Sequence, residues 1–161
     1  MTDYFTQWCV GLELETPEQT EWLQDVMVKL KRYTDLLSDV GDDSEDPQMV
    51  EIKQELGELT EILGENSYLT FTLKYELTDG IGDVYFDADE IGDTNQISAL
   101  LQQFLKKFRP DGCIGIEWAH TCSRSQTDGF GGGAAFITAE KIEALDTRNW
   151  LYEKEQEFEK K

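Results

Sequence analysis

The residues best suited to covalent chemistry are His120 and Cys122. His120 is the only histidine, and Cys122 lies two positions further on, so both side chains share a side if the chain is extended there. A thiol beside an imidazole can form a thiolate–imidazolium nucleophile. No orienting carboxylate is recognisable, and the pair supplies too few ligands for zinc. We therefore interpret the two as polar residues that end a core strand, and a small thiol enzyme is only the third hypothesis for the function.

The other two cysteines, Cys9 and Cys113, add no motif to this pair. The three cysteines are sparse, odd in number and without a Cys-x-x-Cys spacing. Such a set is typical of reduced thiols in a cytosol. We expect no catalytic residue, no metal site and no cofactor.

A glycine-rich run, Gly129–Ala134, formally fits the G-x-G-x-x-A pattern of dinucleotide-binding loops. Such a loop must follow a strand directly and open a helix. Here the polar loop Ser123–Asp128 precedes the glycines, and the Lys-Ser/Thr pair of a phosphate-binding loop is missing. The glycines instead indicate a bulge or a close approach of two backbones at the entrance of a strand.

Negative charge is the strongest signal in the composition. There are 34 Asp and Glu against 14 Lys and Arg, a net charge of −20, and the pI is about 4.2. This charge excludes ordinary binding to nucleic acid or to an anionic membrane, because both need a basic surface. Two segments hold most of it. Residues 35–66 have eleven acids against one base, Lys53, and residues 80–93 have five acids and no base.

The acids of the first segment have a helical spacing. Glu51, Glu55 and Glu58 are four and three residues apart, so they would lie on one helix face roughly 5–6 Å from each other. A row of like charges destabilises the helix slightly, and it resembles the phosphates of one nucleic-acid strand in spacing and sign. We predict a surface that faces a partner; solubility alone is the alternative. The predicted partner-binding residues are Asp42, Asp43, Glu45, Asp46, Glu51, Glu55, Glu58, Glu65, Asp83, Asp87, Asp89 and Glu90.

Hydrophobic periodicity and turn residues predict the elements that carry these groups. A helix capped by Thr16 follows a first strand, and Thr78-Asp79-Gly80 predicts a hairpin. The predicted strands are 4–14, 68–77, 84–88, 114–118 and 134–138, and the predicted helices start at Pro17, span Asp46–Leu63, follow Asp93 or Thr94 to Phe108, and include a frayed C-terminal helix around 150–158.

Without the acidic helix the order is β-α-β-β-α-β, which predicts an α+β protein of the ferredoxin-like, split β-α-β type. We expect an antiparallel or mixed sheet with helices on one face, plus an extra C-terminal strand. The length predicts a single domain, residues 1–161, with residues 38–66 as an acidic helical insertion. No apolar run approaches the ~18–20 residues of a membrane span, and no signal peptide is recognisable.

Three stretches of the last third of the sequence form a recognisable pattern: Thr121-Cys122-Ser123-Arg124, the run Asp128–Ala134, and Phe136-Ile137-Thr138-Ala139. In these stretches the chain resembles small uncharacterised proteins of phages, plasmids and bacteria. No activity is known for them, so the resemblance implies an origin on a mobile element and no mechanism.

Together these features predict a non-enzymatic acidic inhibitor. It would occupy the basic nucleic-acid-binding surface of a larger protein or complex, as a phage anti-restriction or anti-CRISPR protein does, in the cytoplasm of a bacterial host cell. It would bind neither nucleic acid nor membrane directly. The alternative is a general protein–protein adaptor whose acidity serves solubility and which binds through the aromatic residues Tyr4, Trp118, Phe130 and Trp150.

Overall fold

A computed structural model describes residues 2–41, 45–64 and 66–161. Within them the chain forms four α-helices and a six-stranded sheet whose five strand pairings are all antiparallel, so the predicted α+β class is confirmed. The strand order across the sheet is β2-β3-β1-β4-β5-β6. The elements are β1 Tyr4–Leu14, α1 Pro17–Val40, α2 Pro47–Leu56, a 3₁₀ segment Gly57–Leu63, β2 Thr72–Thr78, β3 Ile81–Ala88, α3 Thr94–Phe108, β4 Cys113–Cys122, β5 Gly131–Thr138, β6 Ile142–Asp146 and α4 Thr147–Glu159.

One face of the sheet packs on helices and builds the core. In β1 the alternate residues Trp8 to Leu14 are buried, as their period of two predicts, and they join one core cluster with side chains of α1, α2 and α3. Trp22 of α1 contacts Phe104 and Phe108 of α3, with ring centroids 6.0 and 5.7 Å apart. Full burial of a side chain such as Phe104 contributes about 1.5–3 kcal/mol to folding.

Local signals at the ends of elements are confirmed. The side chains of Thr16, Asp46 and Asp93 accept hydrogen bonds from backbone N–H groups at the starts of α1, α2 and α3. Asp79 and Gly80 both have positive φ, the conformation of a tight two-residue hairpin turn, and they join β2 to β3.

The predicted acidic helix Asp46–Leu63 is wrong in its second half. The α-helix ends at Leu56, because Gly57 adopts a φ of 55°, and a 3₁₀ segment continues to Leu63. In the sequence, Met49, Ile52, Leu56, Leu59 and Leu63 recur at helical spacing and predict an apolar seam along this helix. Its first part is confirmed, since Met49, Ile52 and Leu56 are buried. The predicted insertion begins at residue 38, whereas α1 extends to Val40, two residues past that boundary.

The C-terminal end differs most from prediction. Two strands follow β4 where one was predicted, because Ile142–Asp146 forms the edge strand β6. None of its residues is buried. The strand therefore lacks the alternation of buried and exposed residues by which a strand is recognised in a sequence. The predicted strand at 68–77 begins later, at Thr72. None of the helices among the described residues has the length and apolarity of a membrane crossing.

The other sheet face is not covered by helices. Strand pairing places Gln7 opposite Ala119 and Gly11 opposite Tyr85, so the odd-numbered residues of β1, β3 and β4 share this face. Cys9, Gly11 and Glu13 on it are exposed. We call it the open face.

Candidate functional site

The acids predicted on α2 are partly neutralised by a basic side chain of α1. Arg32 lies 3.3 Å from a carboxylate oxygen of Glu51 and 3.9 Å from one of Glu55. The sequence did not reveal this, because Arg32 precedes Glu51 by 19 positions on another helix. Two of the three acids in the predicted row are therefore engaged within the molecule, and Glu58 lies beyond the helix end in the 3₁₀ segment.

Asp46 has a structural use at the start of α2. Its carboxylate accepts hydrogen bonds from the backbone N–H groups of Gln48 and Met49, at 2.9 and 3.2 Å. Capping of this kind typically contributes about 1 kcal/mol to helix stability. Glu45 is exposed beside it, while Asp42, Asp43 and Glu65 lie outside the described residues.

Two of the acids predicted in the second segment lie on the sheet face opposite the helix layer that contains α2. Asp83 and Asp87 belong to the open face, whereas α2 packs in the helix layer. Asp89 and Glu90 are exposed after the strand, and their backbone carbonyls accept hydrogen bonds from Gln7 and Thr6. The nine of the twelve predicted residues that the structure describes therefore do not form one surface.

The open face carries an acidic row that crosses three strands. Asp83 of β3 lies opposite Glu76 of β2 on one side and opposite Glu13 of β1 on the other, and all three side chains are exposed. Asp87 lies on the same face of β3, four residues further along the strand from Asp83. Directly opposed side chains are about 4.5–5.5 Å apart at Cβ, so like charges there destabilise the sheet.

Few positive charges compensate this row. Lys74 lies 3.5 Å from the carboxylate of Glu76. Arg109 donates to the backbone carbonyl oxygen of Glu13, but its ion pair is with Glu15, at 3.2 Å. Among the described residues, no ion pair holds the carboxylates of Glu13 and Asp83.

Part of this row could have been read from the sequence. A two-residue turn at Asp79-Gly80 fixes the hairpin register, and that register sets Glu76 opposite Asp83. Glu13 could not be added in this way, because the register of β1 against β3 is not fixed by any turn between them.

The half of the open face formed by β4, β5 and β6 is largely apolar, although Glu117 and Glu143 also lie on it. It holds a shallow groove of about 580 Å³ whose floor includes Gly115 and whose walls include Phe136 and Leu145. Phe136 is 49% exposed and Leu145 56%. The open face thus carries the acidic row on β1 to β3 and a largely apolar groove with two acids on β4 to β6.

His120 and Cys122 are each engaged with other groups. Nδ1 of His120 is hydrogen-bonded to the hydroxyl of Thr6 at 3.0 Å, and Nε2 lies 3.4 Å from a carboxylate oxygen of Asp146. The thiol of Cys122 contacts the backbone carbonyl oxygen of Arg124. Asp146 is the orienting acid that the sequence analysis did not find, and it orients His120 toward Thr6, not toward Cys122.

The glycine run serves the close approach of strands. A Cβ on Gly132 would lie 2.6 Å from the carbonyl oxygen of Trp118, and one on Gly129 would overlap the sulfur of Cys122. Gly131, Gly132 and Gly133 pair with β4 in the sheet. This geometry supports the interpretation that the glycines let two backbones approach closely. No helix begins within the glycine run.

Two ionisable groups have displaced pKa values. Burial raises the pKa of the Tyr75 hydroxyl. Tyr75 of β2 lies opposite the buried Val84 of β3. A hydrogen bond to Glu157, with the charge of that carboxylate, raises the pKa of Lys154 on α4. Both groups lie apart from the acidic row. Among the described residues, no group of three or more His, Cys, Asp or Glu side chains is arranged to hold a metal ion.

Comparison with known proteins gives no relative: no family model matches the chain, and no curated protein or solved structure does.

Proposed function

We propose that the protein is a non-enzymatic acidic inhibitor that binds the basic nucleic-acid-binding surface of a larger protein or complex. Specifically, we propose a phage anti-restriction or anti-CRISPR protein that acts in the cytoplasm of a bacterial host. The observation that supports this best is the acidic row of Glu76, Asp83 and Glu13 on the open face.

The row is unfavourable for the isolated protein. Like charges directly opposite each other destabilise a sheet, and Glu13 and Asp83 gain no ion pair in return among the described residues. For the isolated domain the arrangement lowers stability, and the only benefit that it offers there is solubility. A basic partner relieves the repulsion on binding, so the arrangement becomes favourable in the complex.

Spacing also suits a nucleic-acid mimic. Neighbouring strands lie about 4.8 Å apart, so Glu76, Asp83 and Glu13 follow one another across the sheet at about that interval. Such a row resembles a line of phosphates in its sign and in its regular spacing. The acids are also concentrated in one part of the sequence, since residues 1–93 hold 24 Asp and Glu against 5 Lys and Arg, a net charge of −19.

We further propose that β1 to β4 with α1 and α3 form a ferredoxin-like, split β-α-β unit. The order β2-β3-β1-β4, the antiparallel pairing of neighbours, and a helix after β1 and after β3 support this assignment. In this view β5 and β6 extend the unit at one edge, and the segment around α2 is inserted into it.

The adaptor is the second candidate. Three of its four proposed contact residues, Tyr4, Phe130 and Trp150, are about half exposed, whereas Trp118 packs against the core. The apolar groove beside Phe136 and Leu145 adds surface of the same character. In this reading the acidic row serves solubility alone.

Competition with DNA separates the two candidates. The protein is titrated against a panel of restriction nucleases and guide-RNA effector complexes bound to labelled DNA, and the displaced DNA is measured. For any complex that the wild type inhibits, the variant Glu13→Gln, Glu76→Gln, Asp83→Asn should inhibit at least about tenfold more weakly, because it loses three charges that face the partner.

The matched control removes three charges elsewhere. Glu153, Glu155 and Glu159 are exposed on α4, and their replacement by Gln changes the net charge equally. The control should inhibit as the wild type does. Equal weakening by both variants would mean that only net charge matters, and a panel with no inhibited member would contradict the proposal.

A further inference from the structure

The groove on β4, β5 and β6 is built from two neighbouring rows of side chains that cross the strands. In the first row Phe136 of β5 lies between Gly115 of β4 and Glu143 of β6. A Cβ on Gly115 would meet nothing within 4 Å, so one side of the half-exposed Phe136 borders open space. This row therefore supplies an apolar wall with a carboxylate at its β6 end.

The second row has the reverse order of charge. Ala134 of β5 lies between Glu117 of β4 and Leu145 of β6, so here the carboxylate is at the β4 end. The small residues of the two rows form the floor of the groove, while Phe136 and Leu145 form its apolar walls. The carboxylates of Glu117 and Glu143 therefore lie at opposite corners of one apolar groove.

Both carboxylates are able to bind a cation from outside. In the part of the chain that the structure describes, no ion pair holds Glu117. Glu143 lies 3.0 Å from the ammonium group of Lys141, and both side chains of that pair are more than half exposed. Exposed pairs of this kind contribute little to stability, so a cation of a ligand can take the place of Lys141.

The charge of the open face selects a basic occupant for this groove. Strand pairing places six acids and one base on the face: Glu13, Glu76, Asp83, Asp87, Glu117, Glu143 and the base Lys74. An uncharged apolar ligand would remove water from the two carboxylates of the groove without giving them a partner, which is costly. A basic ligand that carries an apolar side chain satisfies both the carboxylates and the apolar walls.

The dimensions of the groove suit an extended segment. Glu117 and Glu143 are two strand spacings apart across the sheet and one row apart along it, which puts their backbones about 12 Å from each other. In an extended chain, residues i, i+2 and i+4 point to the same side, and the first and last are about 13 Å apart. A segment with cations at i and i+4 and an apolar residue at i+2 therefore matches the groove.

We propose that this groove binds an extended basic segment of the partner. The apolar side chain of the segment lies between Phe136 and Leu145, and its two flanking cations pair with Glu117 and Glu143. The inference rests on the proposed function for the identity of the partner. It adds that recognition includes an apolar anchor on the open face and does not depend on charge alone.

Labelled peptides test the groove directly, by fluorescence anisotropy at about 0.05 M salt, where screening is weak. The probe is Gly-Arg-Ser-Leu-Ser-Arg-Gly. It should bind at least about tenfold more tightly than the same peptide with Ser in place of Leu, because it buries the leucine side chain. The isomer Gly-Arg-Leu-Ser-Ser-Arg-Gly should bind as weakly as the Ser peptide, since its leucine would point away from the groove.

Two results with these peptides would overturn the proposal. Equal affinities for the probe and its Ser or isomer forms would mean that charge alone attracts it. Binding of the neutral peptide Gly-Ser-Ser-Leu-Ser-Ser-Gly as tightly as the probe would mean that the groove takes an uncharged apolar occupant.

Substitutions then locate the contact. Gly115→Val places a side chain in the groove without removing one, and Phe136→Ser with Leu145→Ser removes the walls. Either change should lower the affinity for the probe to that for the Ser peptide. The control Val28→Ser with Ile91→Ser alters two exposed residues outside the groove and should bind as the wild type does. Circular dichroism verifies that each variant is folded. A preference for the probe that persists in both groove variants would contradict the assignment.

The peptide measurements need no inhibited complex, so they separate this inference from the proposed function. A preference for the probe without inhibition of any nuclease or effector complex would support the groove as a site for basic segments and contradict the inhibitor function. Inhibition by a protein that shows no preference for the probe would leave the inhibitor function standing and overturn the groove.

Discussion

Two glycines in adjacent strands differ in what a side chain would meet. Gly115 of β4 lies on the open face, where a Cβ would have nothing within 4 Å, whereas a Cβ on Gly132 of β5 would lie 2.6 Å from the carbonyl oxygen of Trp118. The contact at Gly132 is with backbone, which cannot move aside as a flexible side chain can. One glycine is therefore dispensable and the other is required by the close strand packing.

We predict opposite effects of alanine at these two positions. Gly115→Ala should raise the free energy of unfolding by up to about 1 kcal/mol, because alanine loses less conformational freedom on folding. Gly132→Ala should lower it by more than about 1 kcal/mol, because the backbone must shift. Urea denaturation of both variants measures this difference. Equal changes in the two would mean that β4 and β5 do not approach as closely as described.

At the scale of elements, α2 and the 3₁₀ segment after it bury their apolar residues unequally. Leu56 is 3% exposed at the end of α2, while Leu59 lies in the 3₁₀ segment and is only partly buried against the core. The sequence pattern treats both as members of one helical seam, because it assumes an uninterrupted helix. The break at Gly57 changes the direction in which the later residues point.

This difference has a measurable consequence for stability. Leu56→Ala should lower the free energy of unfolding by about 2–5 kcal/mol, the usual range for a buried leucine, and Leu59→Ala by clearly less. Thermal or chemical denaturation of the two variants gives the comparison. Equal losses would indicate a continuous helix through Leu63.

Elements with strong local signals could be predicted from the sequence. The caps at Thr16, Asp46 and Asp93 and the turn at Asp79-Gly80 depend on neighbouring residues, and each lies as predicted. The position of Glu13 beside Asp83 could not be predicted, because it depends on the register between two strands that are distant in sequence and not joined by a turn. The pairing of Arg32 with Glu51 is a tertiary contact of the same kind.

At the scale of the whole molecule, charge divides the sequence into two parts. Residues 1–93 have a net charge of −19 and supply the acidic row, whereas residues 94–161 have a net charge of −1 and supply the exposed apolar side chains of β6 and α4. Charged contacts weaken as salt is added, and apolar contacts do not. The association that residues 1–93 make through the acidic row should therefore weaken as salt is added.

The central claim is that the acidic row on the open face contacts a basic surface. Its most direct test is the slope of the logarithm of the dissociation constant against the logarithm of salt concentration, measured for a complex that the wild type inhibits. The wild type and the control Glu153→Gln, Glu155→Gln, Glu159→Gln should share a steep slope. The variant Glu13→Gln, Glu76→Gln, Asp83→Asn should bind more weakly with a clearly shallower slope, and the same slope in all three proteins would contradict the claim.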